Sequence, residues 1–241
     1  DDDTDICMLR EDYQRFLKVA PLELTGEYHI NSPYSEESYN YVFSRILNAT
    51  SISYDYSRLS QFHRCPYIIG VDIFPLDTVT TNPDEESILY QLIHILISAV
   101  NQYDDKPEEV ISMIPDLEKL CNIKLDTSRC IKNQLLRIAD SLCQIYNGSN
   151  SSFISYIPED SQKDIRLQRE WFNTYDYLPF ENILIPVPKQ YDDILTALYG
   201  DYMTPVQNCA GHDYPFYKKQ TNAMAKHITQ TIMDGKKPFI F

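Results

Sequence analysis

The sequence predicts an α+β protein in which a mixed sheet is flanked by helices. Short apolar segments of strand length alternate with longer segments whose apolar residues recur every three or four positions. The residues from about 80 to 150 carry mainly the helical pattern. We therefore expect a helical insertion at residues 80–150 within one domain that covers residues 1–241.

The first elements follow from local patterns. An apolar segment after the acidic N-terminus predicts a strand that leads directly into a helix, on which Tyr13, Phe16 and Ala20 share one face. Pro83, followed by acidic residues, is typical of a first helical turn. The predicted strands cover residues 4–8, 27–30, 67–74 and 183–187. The predicted helices cover residues 10–20, 83–100, 128–146, 191–199 and 221–233.

Composition limits the classes of function. The chain has 241 residues, with 21 Lys and Arg against 35 Asp and Glu, for a net charge of −14. Such an acidic chain is a poor electrostatic partner for nucleic acid. No segment is long and apolar enough for a bilayer span, and no Cys-x-x-Cys occurs, so we expect free thiols. The chain opens without Met, and we expect that an upstream part is missing.

The strongest chemical signal is the acidic run Asp1-Asp2-Asp3-Thr4-Asp5. Alternate residues of a strand point the same way, so Asp3 and Asp5 would share a face. Two carboxylates in that arrangement can bind one hard divalent cation, Mg²⁺ or Mn²⁺. The alternative is a frayed acidic terminus. The apolar segment that follows directly favours the metal hypothesis.

A second acidic residue, Asp72, lies in the apolar segment Gly70-Val71-Asp72-Ile73-Phe74. A carboxylate within a buried strand is costly unless it is paired or binds metal. The alternative is an edge strand whose Asp faces water. With Asp3 and Asp5, Asp72 would complete a three-carboxylate site of the kind that phosphoryl and nucleotidyl transfer use.

These segments resemble the LicD family of phosphocholine transferases. The similarity covers Asp1–Leu17, continues through Gly70–Asp77, and returns in later blocks from Arg169 to about residue 217. Those later blocks include Arg169-Glu170-Trp171-Phe172, Val187-Pro188-Lys189 and Tyr199-Gly200-Asp201-Tyr202. The segment from about 80 to 165 contributes little, and Thr4 replaces an aliphatic residue that is usual in the family.

The resemblance implies a nucleotidyltransferase-like fold and transfer of phosphocholine from CDP-choline to a sugar hydroxyl of a cell-surface glycan, such as teichoic acid or lipopolysaccharide, with release of CMP. By position, Asp3, Asp5 and Asp72 match its metal-binding carboxylates, and Asp72 is also our candidate base. Related fukutin-type proteins transfer ribitol phosphate, so another CDP-alcohol is an alternative donor. We expect a cytoplasmic location, with peripheral contact to a lipid-linked glycan precursor at the membrane, or the Golgi lumen in a eukaryote.

Weaker candidates for substrate binding lie in the later blocks. Lys189 follows a predicted strand and could meet phosphate, Trp171 begins an aromatic cluster that could hold a quaternary ammonium, and Asp201 follows a helix-ending glycine. The alternatives are a solvated surface position for Lys189, core packing for Trp171 and a turn position for Asp201. Two other functions stay open. The chain could transfer the nucleoside monophosphate instead, or it could be a non-catalytic module that binds choline or glycan.

Overall fold

A computed structural model describes residues 4–24, 26, 28–161, 163–204 and 218–237. The strands are β1 (Asp5–Leu9), β2 (His29–Asn31), β3 (Ser44–Leu47), β4 (Gly70–Thr78), β5 (Phe153–Ser155), β6 (Leu167–Gln168), β7 (Tyr175–Phe180) and β8 (Ile183–Pro188). The helices are α1 (Arg10–Glu23), α2 (Tyr56–Gln61), α3 (Pro83–Gln102), α4 (Pro107–Cys121), α5 (Ile131–Cys143), α6 (Ile157–Asp160), α7 (Tyr191–Tyr199) and α8 (Lys218–Met233). A 3-10 turn spans Arg169–Phe172.

Strand β4 organises the main sheet. It pairs in parallel with β1 and antiparallel with β3 and β5, while β2 extends the sheet beyond β3 and β6 extends it beyond β5. Strands β7 and β8 form a separate antiparallel hairpin. The predicted α+β class, a mixed sheet with several helices, is therefore confirmed.

One large apolar core joins the sheet to the helices that follow β4. Leu76 of β4, Leu96 of α3, Leu135 of α5 and Ile154 of β5 are all at most 1% exposed within it. Burying each such side chain contributes about 1.5–3 kcal/mol to folding. The residues from 80 to 150 contain α3, α4 and α5, and all three pack in this core.

Several predicted boundaries are wrong for identifiable reasons. The strand predicted at residues 67–74 begins only at Gly70, because the backbone N–H and carbonyl of Ile68 bond the side chain of Gln220 in α8. The helix predicted at residues 128–146 begins at Ile131, because Asp126 accepts hydrogen bonds from Ser128 and forms a turn there. The strand predicted at 27–30 is His29–Asn31, and its first predicted residue, 27, lies outside the described residues.

Candidate functional site

Two of the three predicted metal-binding carboxylates are adjacent in the sheet. Asp5 of β1 and Asp72 of β4 are partners in the parallel register. Partners in a ladder present their side chains on the same face of the sheet. Sequence reasoning proposed that these residues meet, and the pairing of β1 with β4 brings them to neighbouring positions. Asp3, the third predicted ligand, lies outside the described residues, as do Asp1 and Asp2.

The edge-strand alternative for Asp72 is wrong. At Asp72 the strand β4 pairs on one side with Asp5 of β1 and on the other with Arg45 of β3. The residue is only 9% exposed. A carboxylate in the middle of a sheet needs a charged or hydrogen-bonding partner, because desolvation alone would cost several kcal/mol.

Arg45 is that partner, and sequence reasoning missed it. Its Nε donates to one oxygen of Asp72 and its Nη2 donates to the other, so both carboxylate oxygens accept from one guanidinium. These hydrogen bonds raise the pKa of Arg45, although partial burial opposes the rise. The side chain therefore stays charged. The available signal was the lone cation in the apolar segment Val42–Leu47, whose strand pattern was not recognised.

Gly70 makes room for this contact. It lies opposite Leu47 in the antiparallel register, two residues before Asp72 and on the same face. A Cβ atom at Gly70 would come within 2.8 Å of Cγ and Cδ of Arg45 and of one methyl of Leu47. The stem of Arg45 therefore crosses β4 through the space that glycine leaves open.

Aromatic rings line the other side of the guanidinium. The Cζ atom of Arg45 lies 5.6 Å from the ring centroid of Tyr41 and 5.7 Å from that of Phe43. Phe43 in turn packs on Phe74, with centroids 4.7 Å apart, and Phe74 packs on Tyr156. The face that carries Asp5 and Asp72 thus combines carboxylates, one cation and a wall of aromatic rings.

Two further acidic residues, Asp160 and Glu159, act on the same side chain as Asp5 does. Burial raises the pKa of Tyr199 at the end of α7, and the charges of Asp5, Asp160 and Glu159 raise it further. Asp160 itself is 8% exposed, and one of its oxygens accepts hydrogen bonds from the Tyr156 backbone and the Ser155 hydroxyl. Sequence reasoning gave no role to Asp160 or Glu159.

The three predicted substrate-binding residues contact partners other than Asp72. Lys189 follows β8, and its Nζ lies 3.7 Å from a carboxylate oxygen of Asp176. Trp171 is half-buried and packs against the apolar core. Asp201 accepts a 2.7 Å hydrogen bond from the hydroxyl of Thr204. In the described part of the chain, no hydrogen bond or ion pair joins any of them to Asp72.

The carboxylates that are present fit a divalent cation. Hard cations such as Mg²⁺ and Mn²⁺ take carboxylate oxygens, and Asp72 already holds a cationic group. Among the described residues no three His, Cys, Asp or Glu side chains converge as a metal site.

Comparisons with known proteins add no relative: no family model, curated protein or solved structure matches the chain. Within the described residues, no helix combines the length and apolar character needed to cross a bilayer. Function is therefore inferred from the motifs and the geometry of the chain itself.

Proposed function

We propose that the chain is a metal-dependent transferase with a nucleotidyltransferase-like fold, which moves phosphocholine from CDP-choline to a sugar hydroxyl of a cell-surface glycan and releases CMP. The observation that carries the proposal is the register pairing of Asp5 with Asp72. It juxtaposes carboxylates from two motifs that are 67 residues apart, as the resemblance to the LicD family requires.

Each residue of the site has a proposed role in the transfer. Asp5 and Asp72, with Asp3, would hold Mg²⁺ or Mn²⁺, and a bound cation offsets the charge of the donor diphosphate. The acceptor hydroxyl attacks the phosphorus that bears choline, the bond from that phosphorus to the bridging oxygen breaks, and CMP leaves. Asp72 accepts the hydroxyl proton more readily once Arg45 has released its oxygens, because both accept from the guanidinium.

Lys189, Trp171 and Asp201 remain proposed substrate contacts. Lys189 is about half exposed and its ion pair with Asp176 is long, so exchange of Asp176 for a phosphate oxygen would cost little. Trp171 lies close in sequence to two exposed tyrosines of β7, Tyr175 and Tyr177. These aromatic rings could contact the quaternary ammonium of choline.

Calorimetric titration of CDP-choline, with and without Mn²⁺, tests the proposal. We expect binding by the wild type only with Mn²⁺, and at least a tenfold loss of affinity in Asp5→Asn, which corresponds to about 1.4 kcal/mol. The matched control is Asp104→Asn, which removes an exposed carboxylate paired with Lys132 and should bind like the wild type. Failure of every CDP-alcohol to bind with Mn²⁺ present would contradict the transferase proposal and favour a non-catalytic module.

Two outcomes would change the proposed reaction but keep the proposed carboxylate site. Binding of CDP-ribitol in place of CDP-choline would keep the carboxylate site and change the alcohol. Transfer of the nucleoside monophosphate uses the same carboxylates, and product analysis separates it from phosphocholine transfer.

A further inference from the structure

Arg45 occupies the position at Asp72 that a metal ion would need. Its guanidinium binds both oxygens of Asp72, and the two side chains are 25% and 12% exposed. A bidentate guanidinium occupies one lone pair on each oxygen of a carboxylate, about half of its acceptor sites, and its positive charge repels a second cation at the same group. A cation that binds Asp72 through those oxygens therefore competes directly with Arg45.

The charges favour such an exchange. With Asp5 beside it on the same face, Asp72 is one of two carboxylates on adjacent strands, and their repulsion must be offset by a positive group. Arg45 offsets it in the protein without metal. A divalent cation would offset it more strongly, since it carries twice the charge.

The surroundings give the released guanidinium a place to remain. The rings of Tyr41 and Phe43 lie under its Cζ atom at 5.6 and 5.7 Å, a distance at which cation–π attraction is effective. The open space at Gly70 holds the stem. Arg45 can therefore leave Asp72 by a change of its terminal torsions and stay beside the site.

We propose that Arg45 and the divalent cation alternate at Asp72: the guanidinium holds the carboxylate in the metal-free protein, the cation displaces it, and the freed guanidinium binds the diphosphate of the donor. This inference rests on the proposed function and assigns Arg45 as a positioning residue within it. It requires effects of opposite sign on metal and donor affinity, which a purely structural role of Arg45 would not produce.

Mn²⁺ binding measured by electron paramagnetic resonance, followed by CDP-choline titration at saturating Mn²⁺, tests the exchange. Removal of a charged, bidentate competitor in Arg45→Gln should tighten Mn²⁺ binding about tenfold and weaken CDP-choline binding about tenfold. Arg45→Lys should give an intermediate Mn²⁺ affinity, because an ammonium group cannot bind both oxygens in the same way. Arg129→Gln, which removes an exposed arginine paired with Glu37, should match the wild type in both titrations.

The outcomes separate this inference from the proposed function. Unchanged or weaker Mn²⁺ binding in Arg45→Gln, while the wild type binds Mn²⁺ and CDP-choline, overturns the exchange and leaves the transferase proposal intact. An Mn²⁺ affinity of Arg45→Lys equal to that of the wild type also overturns the exchange, because net charge alone would then explain the affinity. Absence of Mn²⁺ binding in all variants overturns both. If Arg45→Gln does not fold, the comparison of Arg45→Lys with the wild type decides.

Discussion

Asp72 and Asp77 lie on the same strand, five residues apart, and their side chains face opposite sides of the sheet. Asp72 faces Asp5 and Arg45. Asp77 binds Arg10, with Nε–Oδ1 and Nη2–Oδ2 distances of 2.8 and 2.5 Å, and Arg10 also lies 2.9 Å from Asp140 of α5. One motif, Gly70–Asp77, thus supplies a candidate ligand and a structural anchor.

The anchor should be essential for stability. Arg10 and Asp77 are 5% and 1% exposed in their side chains, and removal of one partner leaves a buried charge only partly compensated. We expect Asp77→Asn to lower the free energy of unfolding by about 3 kcal/mol, and urea titration measures it. Arg129→Gln, which breaks a pair more than half exposed on both sides, should cost less than about 1 kcal/mol. Equal losses in the two variants would contradict the assignment.

Gly70→Ala tests the space that holds Arg45. The new Cβ would meet Arg45 and Leu47 at 2.8 Å, so the side chains must shift, and we expect a loss of about 1–3 kcal/mol in unfolding free energy. The loss should shrink in an Arg45→Ala background, because the main obstacle is then gone. Strictly additive effects of the two substitutions would show that Gly70 does not act through Arg45.

Asp160 should make stability depend on pH in a defined direction. Burial raises its pKa, and the hydrogen bonds from the Tyr156 backbone and Ser155 only partly oppose this. The folded protein therefore binds the proton more tightly than the unfolded chain, and stability falls as the pH rises from the ordinary carboxyl pKa of about 3.9 through the raised value. Asp160→Asn should accordingly gain stability relative to the wild type between pH 4 and 7.

Asp126 supplies a control of opposite sign. Hydrogen bonds from the Ser128 hydroxyl and backbone lower its pKa, so its stabilisation is present above the ordinary carboxyl pKa and lost as the pH falls through the lowered value. Asp126→Asn should therefore be less stable than the wild type above the ordinary carboxyl pKa of about 3.9, and this difference should shrink as the pH falls below that value. Urea titrations at several pH values measure both variants, and the same trend in the two would contradict these pKa directions.

The elements near the motifs could be predicted because their signals are local. The strand before Arg10, the helix that starts there and the helix that ends at Gly200 depend on adjacent apolar patterns and on one glycine. Helix α4 was not predicted; Pro115 lies inside it, and an internal proline is atypical of a helix. Strand β7 was not predicted either. It contains Pro179, which pairs with Leu184 near the end of a two-stranded hairpin, a position where a strand tolerates proline.

The partner of Asp72 could not be predicted from the sequence in the same way. Asp5 and Asp72 could be joined through the resemblance of two motifs to one family. Arg45 lies in a strand of four residues, and its contact depends on the antiparallel register that sets it opposite Asp72. Register is set by the hydrophobic pattern of the strands and by the turns between them, and a strand of four residues specifies it only weakly.

Hydrolysis of CDP-choline in ¹⁸O-labelled water, with Mg²⁺, tests the central claim most directly, since water can replace the unknown acceptor hydroxyl. Attack at the phosphorus that bears choline places the label in phosphocholine, and we predict this product from the wild type and much less of it from Asp5→Asn. Label in CMP would assign nucleotidyl transfer instead. If the wild type releases phosphocholine no faster than Asp5→Asn does, the result contradicts catalysis by these carboxylates.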